Sequence, residues 1–337
     1  MEESVANFPE IFIQIDTEEE LKKGAAQVVH LVRPDWKKDD FQYKIFTDGI
    51  SNKLIGVYTD DKNKMLLVRV YGAKTELIID RQSEIRNMLV LNQVGCGCQL
   101  YAKFGNGLVY QFLPGDILTI ESAKNSKIFP KVAAAMAKMH KLVDLGPDVP
   151  KNPCMWKKLH MFLDQFPTNL QDPRLTFTKE NLTKEVKILE EKLACKKSPI
   201  VFTHNDLLLA NIVISNEGQI FFIDYEYGDY NYQECDIANH FDEMAGVENM
   251  DFIKDYPSKQ FQLEWIREYL LAYHEKAPTE KEIEAFYQGV NQFSLCYHMM
   301  WGLWGLVQAE ISKIDFDFVA FGLSRLNEYF RVRDERL

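Results

Sequence analysis

In the first third of the chain, apolar positions fall in short runs that alternate with polar ones. Residues 43–46, 53–58 and 65–71 are rich in β-branched and aromatic side chains and are separated by Asp-Gly and Asp-Asp-Lys-Asn sequences. This pattern predicts strands joined by tight turns. In the third run Leu67, Arg69 and Tyr71 share one side of the pleat, so a cation is expected within a strand. The period then changes: over 80–94, Ile85, Met88, Leu89 and Asn92 recur at helical spacing. A further strand is predicted over 108–112 and is ended by Pro114-Gly115. Beyond that break the pattern is mainly helical. An Ala-rich helix is expected over 131–143, stopped by Gly146-Pro147, and a Lys/Glu-rich one near 179–195, whose charges read as a solvated face. Residues 258–331 are helical in period. The exception is a hairpin, with Asn211-Ile212-Val213-Ile214 running out, Asn216-Glu217-Gly218 turning, and Ile220-Phe221-Phe222-Ile223 returning. Residues 1–40 give no clear assignment.

What flanks the hairpin gives it chemical meaning. Before it stands His204-Asn205-Asp206-Leu207-Leu208-Leu209-Ala210-Asn211, and after it Ile223-Asp224-Tyr225-Glu226. Taken singly, an H-x-D is usually a turn with a helix cap, and an Asp after an apolar strand is usually a loop start. Jointly, an Asp, an Asn five residues on and an Asp beyond a hairpin are what metal-assisted phosphoryl transfer from ATP requires. Asp206 would accept the proton of an attacking hydroxyl. Asn211 and Asp224, returned to one level by the hairpin, would hold magnesium against the phosphates. This is a kinase-type catalytic loop. With a β-rich part before it and helices after it, the chain is expected to be an α+β, two-lobed protein-kinase-like fold. A small N-terminal nucleotide-binding lobe would span 1–113, and a larger, mainly helical catalytic and acceptor-binding lobe 114–337.

Other parts of a nucleotide site can be placed by position. The loop Thr47-Asp48-Gly49-Ile50-Ser51-Asn52-Lys53 lies where a phosphate-covering loop belongs, with Gly49 permitting close backbone approach and Ser51 and Asn52 offering donors. It is not a G-x-G-x-x-G, and alone it reads as a hairpin turn. Arg69 takes the strand position where protein kinases carry a phosphate-holding Lys, and Glu84 is its candidate partner. The bland alternative is an edge-strand Arg in a surface ion pair. Gln111 to Leu113, at the expected hinge, would supply backbone groups to the adenine ring.

On the acceptor side, Asp236 reads as a helix N-cap after a Tyr-rich loop, with Glu243 on the helix beyond it. Trp301 and Trp304 share a helix face at i and i+3. Paired Trp is usually core packing, but the glycines beside them and the carboxylates upstream suit a wall for a cation, since indole faces attract ammonium. On these residues alone both readings stand.

Composition narrows the partners. A net charge of −11 and a pI near 5.2 argue against nucleic acid or an anionic membrane as a standing partner. No run of 18 or more apolar residues occurs, and the first residues lack the basic and apolar regions of a signal peptide. The six cysteines are scattered. Cys96-Gly97-Cys98 has no second Cys/His pair at zinc-site spacing, so free thiols in a reducing cytoplasm are expected.

The sequence resembles the choline/ethanolamine kinase family over about 44–330. The resemblance is carried by F-T-D-G-I-S-N-K-L-I-G at 46–56, L-V-R-V-Y-G at 67–72, H-N-D-L-L-L-A-N at 204–211, I-D-Y-E-Y-G at 223–228, D-I-A-N-H-F-D-E at 236–243 and W-G-L-W-G-L-V-Q-A at 301–309. The H-N-D…N…D set alone would also fit aminoglycoside kinases; the last two stretches are more specific. The family places Arg where protein kinases place Lys, in agreement with Arg69. The resemblance implies ATP and Mg²⁺ as cofactors, a small-molecule amino-alcohol acceptor, and Glu243, Trp301 and Trp304 around its ammonium. It leaves room for a homodimer. Within the family the chain is more similar to the ethanolamine branch, through T-D-G in the first loop, Ala245-Gly246-Val247 after Glu243, and Ile314-Asp315-Phe316-Asp317-Phe318. The implied reaction is ATP-dependent phosphorylation of the ethanolamine hydroxyl, the first step of phosphatidylethanolamine synthesis, with choline or dual specificity as the alternative. A dead kinase-fold binding protein should lack Asp206, Asn211 or Asp224. A protein kinase would need an activation segment between Asp224 and Asp236, where there is little room.

Overall fold

The computed structural model describes residues 5–46, 52–72, 80–168, 170–248, 250–312 and 314–337. The chain divides into two units, the first comprising Met1–Asp116 and Val213–Glu226, the second Ile117–Ile212 and Tyr227–Leu337.

The first unit opens with β1 (Ala6–Phe8), α1 (Glu18–Val32), β2 (Gln42–Phe46), β3 (Asn52–Tyr58), β4 (Leu66–Tyr71), α2 (Arg81–Gln93), β5 (Leu100–Phe104) and β6 (Gly107–Gln111). Among the described residues, six strands form one sheet in the order β1-β5-β6-β4-β3-β2; β1 runs parallel to β5 and the other pairs are antiparallel. Helix α1, unassigned from sequence, begins at a capping box in which Glu20 N–H donates to Thr17 Oγ1 (3.2 Å) and Thr17 N–H to Glu20 Oε2 (3.1 Å). It buries Leu21, Ala25, Val28 and Val29 in a cluster with Ile55, Val57, Leu66, Val68, Val70 and Val109. Even-numbered β4 residues therefore fill this core. The pleat sends Leu67 and Arg69 to the other face, where Leu67 packs with Tyr58 and Met65. Because β4 lies between β3 and β6, Arg69 sits opposite Leu54 and Leu108 in a central strand, which excludes the edge-strand reading.

Helix α2 is capped by Asp80, whose carboxylate accepts the Gln82 and Ser83 amides. Its buried face is Glu84, Asn87, Met88 and Leu91, not the Ile85–Met88–Leu89–Asn92 face expected; Leu89 is exposed. The shift follows from Glu84, a carboxylate turned inward because a cation awaits it.

The remaining elements are β7 (Asp116–Ile117), α3 (Ile120–Ala123), α4 (Phe129–Leu142), α5 (Cys154–Asp164), α6 (Lys179–Leu193), β8 (Ile200–Thr203), β9 (Ile212–Ile214), β10 (Ile220–Phe222), β11 (Asp229–Tyr232), α7 (Cys235–Glu243), α8 (Lys259–His274), α9 (Glu280–Ile311) and α10 (Phe318–Arg336). β9 and β10 are neighbours in a sheet ordered β10-β9-β7 and are joined by the expected turn, closed by Ser215 N–H to Gln219 O at 2.9 Å. Gly218 adopts φ 76°, a conformation suited to glycine. β8 and β11 pair antiparallel, with Thr203 opposite Asp229. Where α9 meets α10, a Cβ on Gly302 would come within 2.7 Å of Leu326, and one on Gly305 within 2.9 Å of the Gly322 backbone. The glycines beside Trp301 and Trp304 thus serve close helix packing. Among the described residues, no helix is long and apolar enough to cross a membrane.

Candidate active site

In the first unit the chemistry gathers around Arg69. Its Nη2 pairs with Glu84 Oε1, as the sequence suggested, and its Nη1 donates to Asp224 Oδ1 at 2.7 Å. The guanidinium also lies over the Tyr110 ring, 5.6 Å from its centroid. Burial works against its charge, but Tyr110, Asp224 and Glu226 more than offset this, and its pKa is raised. Arg81, at the start of α2, donates to Glu84 Oε2 (3.0 Å) and Asn52 Oδ1 (3.3 Å), lies 3.7 Å from Glu226 Oε2, and stacks on Tyr71 at 3.9 Å. Asn52 Nδ2 in turn reaches Glu226 at 3.4 Å. Burial and the neighbouring Asp224 push the Glu226 pKa above the usual carboxylate range, while Arg69 and Arg81 pull it down.

Neither Arg81 nor Glu226 was among the sequence candidates. The available signal was a second carboxylate two residues after Asp224. Tyr225 turns inward to donate to Cys96 O at 3.0 Å. Asp224 holds φ 65°, a left-handed conformation costly for a non-glycine residue. Oxygens of Glu84, Asp224 and Glu226 lie within 4.8 Å of one another. Of the remaining candidates here, Gly49 and Ser51 lie outside the described residues. The Gln111 amide donates to Gln99 O at 2.9 Å. The Leu113 N–H and C=O have no hydrogen-bond partner among the described residues.

In the second unit, β8 delivers the chain into the loop carrying Asp206. That loop is pinned from α7. Asp236 is not the N-cap expected: the cap position is Glu234, which makes no side-chain capping bond, and Asp236 lies in the helix's first turn. Its Oδ2 accepts the His204 amide and its Oδ1 the Asn205 amide, both at 2.7 Å, with His140 Nε2 at 3.0 Å from Oδ2. Asn239, one turn on, accepts the Leu207 amide at 2.5 Å. Asn205 holds φ 64°. Its side chain donates to Tyr227 O (3.0 Å) and accepts from Asn231 (2.9 Å) and Tyr297 (2.8 Å). Asp206 is thereby flanked by fixed residues on both sides. Asn211 ends a 3₁₀ turn, Leu209–Asn211, and its Nδ2 donates to Asp206 O (2.9 Å) and Asp206 Oδ2 (3.3 Å). With Nδ2 so committed, Asn211 Oδ1 is left as an open acceptor.

Also in this unit, Trp301 and Trp304 meet edge-on at 5.6 Å. Tyr227 packs on Trp301 at 5.3 Å and its hydroxyl accepts Trp304 Nε1–H at 3.1 Å; Phe318 and Phe321 each lie 5.7 Å from Trp304. Glu243, almost fully buried at the end of α7, accepts Arg325 Nη2 at 2.7 Å on Oε1, with Asn239 Nδ2 at 3.4 Å from the same oxygen. Arg325 had no role in the sequence reading.

A β-sheet unit with a helix carboxylate on a strand arginine, and a helical unit with an anchored H-N-D loop, define the chain as a protein-kinase-like phosphotransferase fold. The choline/ethanolamine kinase family model matches residues 43–330, and the chain belongs to that family. It is 40% identical to ethanolamine kinase 2 of Rattus norvegicus, over 98% of this chain and 86% of the relative. It is 39% identical to ethanolamine kinase 1 of Mus musculus, over 97% and 93%. The solved ethanolamine kinase of Plasmodium vivax superposes with a TM-score of 0.83 at 27% identity, covering 95% of this chain and 91% of that one.

Proposed function

We propose that the chain transfers the terminal phosphoryl group of ATP to the hydroxyl of ethanolamine, giving phosphoethanolamine and ADP. The observation that carries this is the intact Asp206, Asn211 and Asp224 set in a chain that matches ethanolamine kinases over almost its whole length. In this reading 1–113 serves the nucleotide, and 114–337 supplies the catalytic loop and the acceptor site. The 213–226 hairpin belongs structurally with the first.

Magnesium fits the donors present. Asn211 Oδ1 is open, and Asp224 and Glu226 are hard oxygen ligands. Glu84, though close to Asp224 and Glu226, is taken at both oxygens by Arg69 and Arg81. Asn211 and Asp224 are therefore the proposed ligands, with Glu226 as an addition to the pair inferred from sequence. When bound, the ion would neutralise charge on the triphosphate. Arg69, held by Glu84, places a fixed positive charge for the phosphates, and the Gly49 backbone with the Ser51 and Asn52 side chains adds hydrogen-bond donors. The hinge at Gln111–Leu113 receives the adenine ring. Asp206 orients the substrate hydroxyl for in-line attack and takes its proton, late in a loose transition state. Glu243 Oε2, which has no hydrogen-bond partner among the described residues, accepts from the ammonium, and the Trp301 and Trp304 rings wall it.

The aromatic group around Trp304 would also suit a quaternary ammonium, so choline is the second reading. Steady-state phosphorylation with ATP and each amine distinguishes them. A kcat/KM for ethanolamine at least tenfold above that for choline is expected. Equal values would mean dual specificity, and the reverse order would overturn the choice of amine.

A further inference from the structure

We propose that Arg325 is a positioning residue of the acceptor site, gripping one oxygen of Glu243 so that the other is kept for a primary ammonium. This rests on the reading that Glu243 receives the amine. Arg325 is completely buried on α10 and reaches back to α7 through the 2.7 Å bond to Glu243 Oε1. Its guanidinium carbon lies 5.4 Å from the ring centres of both Phe252 and Phe321, and Phe321 touches Trp304 edge-on. One side chain thus ties the carboxylate to the indole pair.

Stability alone is a poor account of this arginine. Its Nε and Nη1 are buried and donate to nothing among the described residues. A buried cation with two idle donors is an inefficient way to hold helices together, and a well-packed apolar residue would serve that purpose better. What the arginine does is oppose the effect of burial on its partner, whose pKa stands raised. Burial pushes the Glu243 pKa up, and Arg325, by charge and hydrogen bond, pulls it down, assisted by Asn239. Of the other ionisable groups nearby, buried Asp242 on α7 accepts from Ser294 and faces buried His298 of α9, and half-buried Arg336 on α10 donates to Ser294. None of them hydrogen-bonds Glu243.

The test is steady-state kinetics and the pH profile of kcat/KM for ethanolamine in Arg325→Met, Arg325→Lys, Glu243→Gln and the Glu243→Gln/Arg325→Met double variant. Arg325→Met should raise the ethanolamine KM on the order of 10–100-fold with the ATP KM within threefold, and move the acid limb to higher pH. Arg325→Lys, which keeps the charge but not the fork, should raise KM less and leave the limb near its wild-type position. The double variant should be no worse than Glu243→Gln. An added loss in the double as large as Arg325→Met causes alone would show that Arg325 acts independently of Glu243, and would overturn the proposal. Should Arg325→Met fail to fold, Arg325→Lys decides: an ethanolamine KM indistinguishable from wild type would equally overturn it. An unchanged ethanolamine KM in Glu243→Gln would instead remove the ammonium role of Glu243, which is a separate failure.

Discussion

Replacing Asp236 by asparagine probes the catalytic loop without touching any reacting group. Asp236 is fully buried and receives two backbone amides, at 2.7 Å each, from the residues immediately before Asp206. Bonds to a charged acceptor contribute about 1.5–3 kcal/mol each, and a buried donor left unpaired costs about 1–3 kcal/mol. Asparagine keeps one carbonyl oxygen but places an NH₂ against the second amide. One bond is lost and one donor is stranded, for a total of about 2.5–6 kcal/mol. Had Asp236 been a helix cap, asparagine would cost little, because the two residues cap equally well. At about 2–4 °C per kcal/mol for a unit of 150–250 residues, Tm should fall by roughly 5–24 °C. The loop carrying Asp206 would relax with it. A displacement of about 1 Å at a reacting group is worth on the order of 10²-fold, so kcat should drop by about that factor with little change in the ATP KM. Calorimetry and steady-state kinetics on the same preparation give both numbers. A Tm within 2 °C of wild type together with kcat within threefold would refute the reasoning and return Asp236 to an ordinary helix-end residue.

Asp206→Asn should lower kcat by roughly 10²–10⁴ while ATP binding, measured by calorimetry, stays near wild type; kcat within threefold would remove it as the base. Asp224→Ala should raise the magnesium concentration needed for half-maximal rate, and an unchanged magnesium dependence would point to other ligands. Asp242, pushed up to about 8 by burial, binds its proton more tightly folded than unfolded. Its contribution to stability is therefore full below the unfolded pKa near 4 and is lost as pH rises through 8. Asp242→Asn should flatten the fall of Tm between pH 6 and 8.5; an unaltered slope would mean that the group is ionised in the fold.

Where the determining interactions were local, the sequence was a good guide. The alternation around Arg69 placed it on the correct side of β4, and the apolar residues with the Asn216–Gly218 turn gave the hairpin. Glu84 followed from Arg69 by charge. What escaped was set at a distance. The partners of Asp236 lie 31 and 32 residues away, so only a local rule, capping, was available to interpret it. The buried face of α2 was placed one residue off because an apolar count cannot register a carboxylate that is inside for its charge. Helix α1 hid its stripe behind Glu18, Glu19, Glu20, Lys22 and Lys23, with alanine and valine supplying much of the apolar face. Gly302 and Gly305 looked like pocket glycines until Gly322 appeared opposite them.

The first unit is discontinuous in sequence, and this has a consequence for synthesis. Its last fourteen residues, Val213–Glu226, leave the ribosome only after the whole of Ile117–Ile212 has been made. At about 5–20 residues per second, that is a wait of roughly 5–20 s. During it, Arg69 already has Glu84 but not Asp224, and the Cys96 carbonyl has yet to meet the Tyr225 hydroxyl. The six-stranded sheet can form early, whereas the hairpin leading to Asp224, the proposed metal ligand, is added late, like a keystone. A fragment ending near residue 116 would therefore be an incomplete unit, and nascent chains of intermediate length are where a chaperone should find this protein.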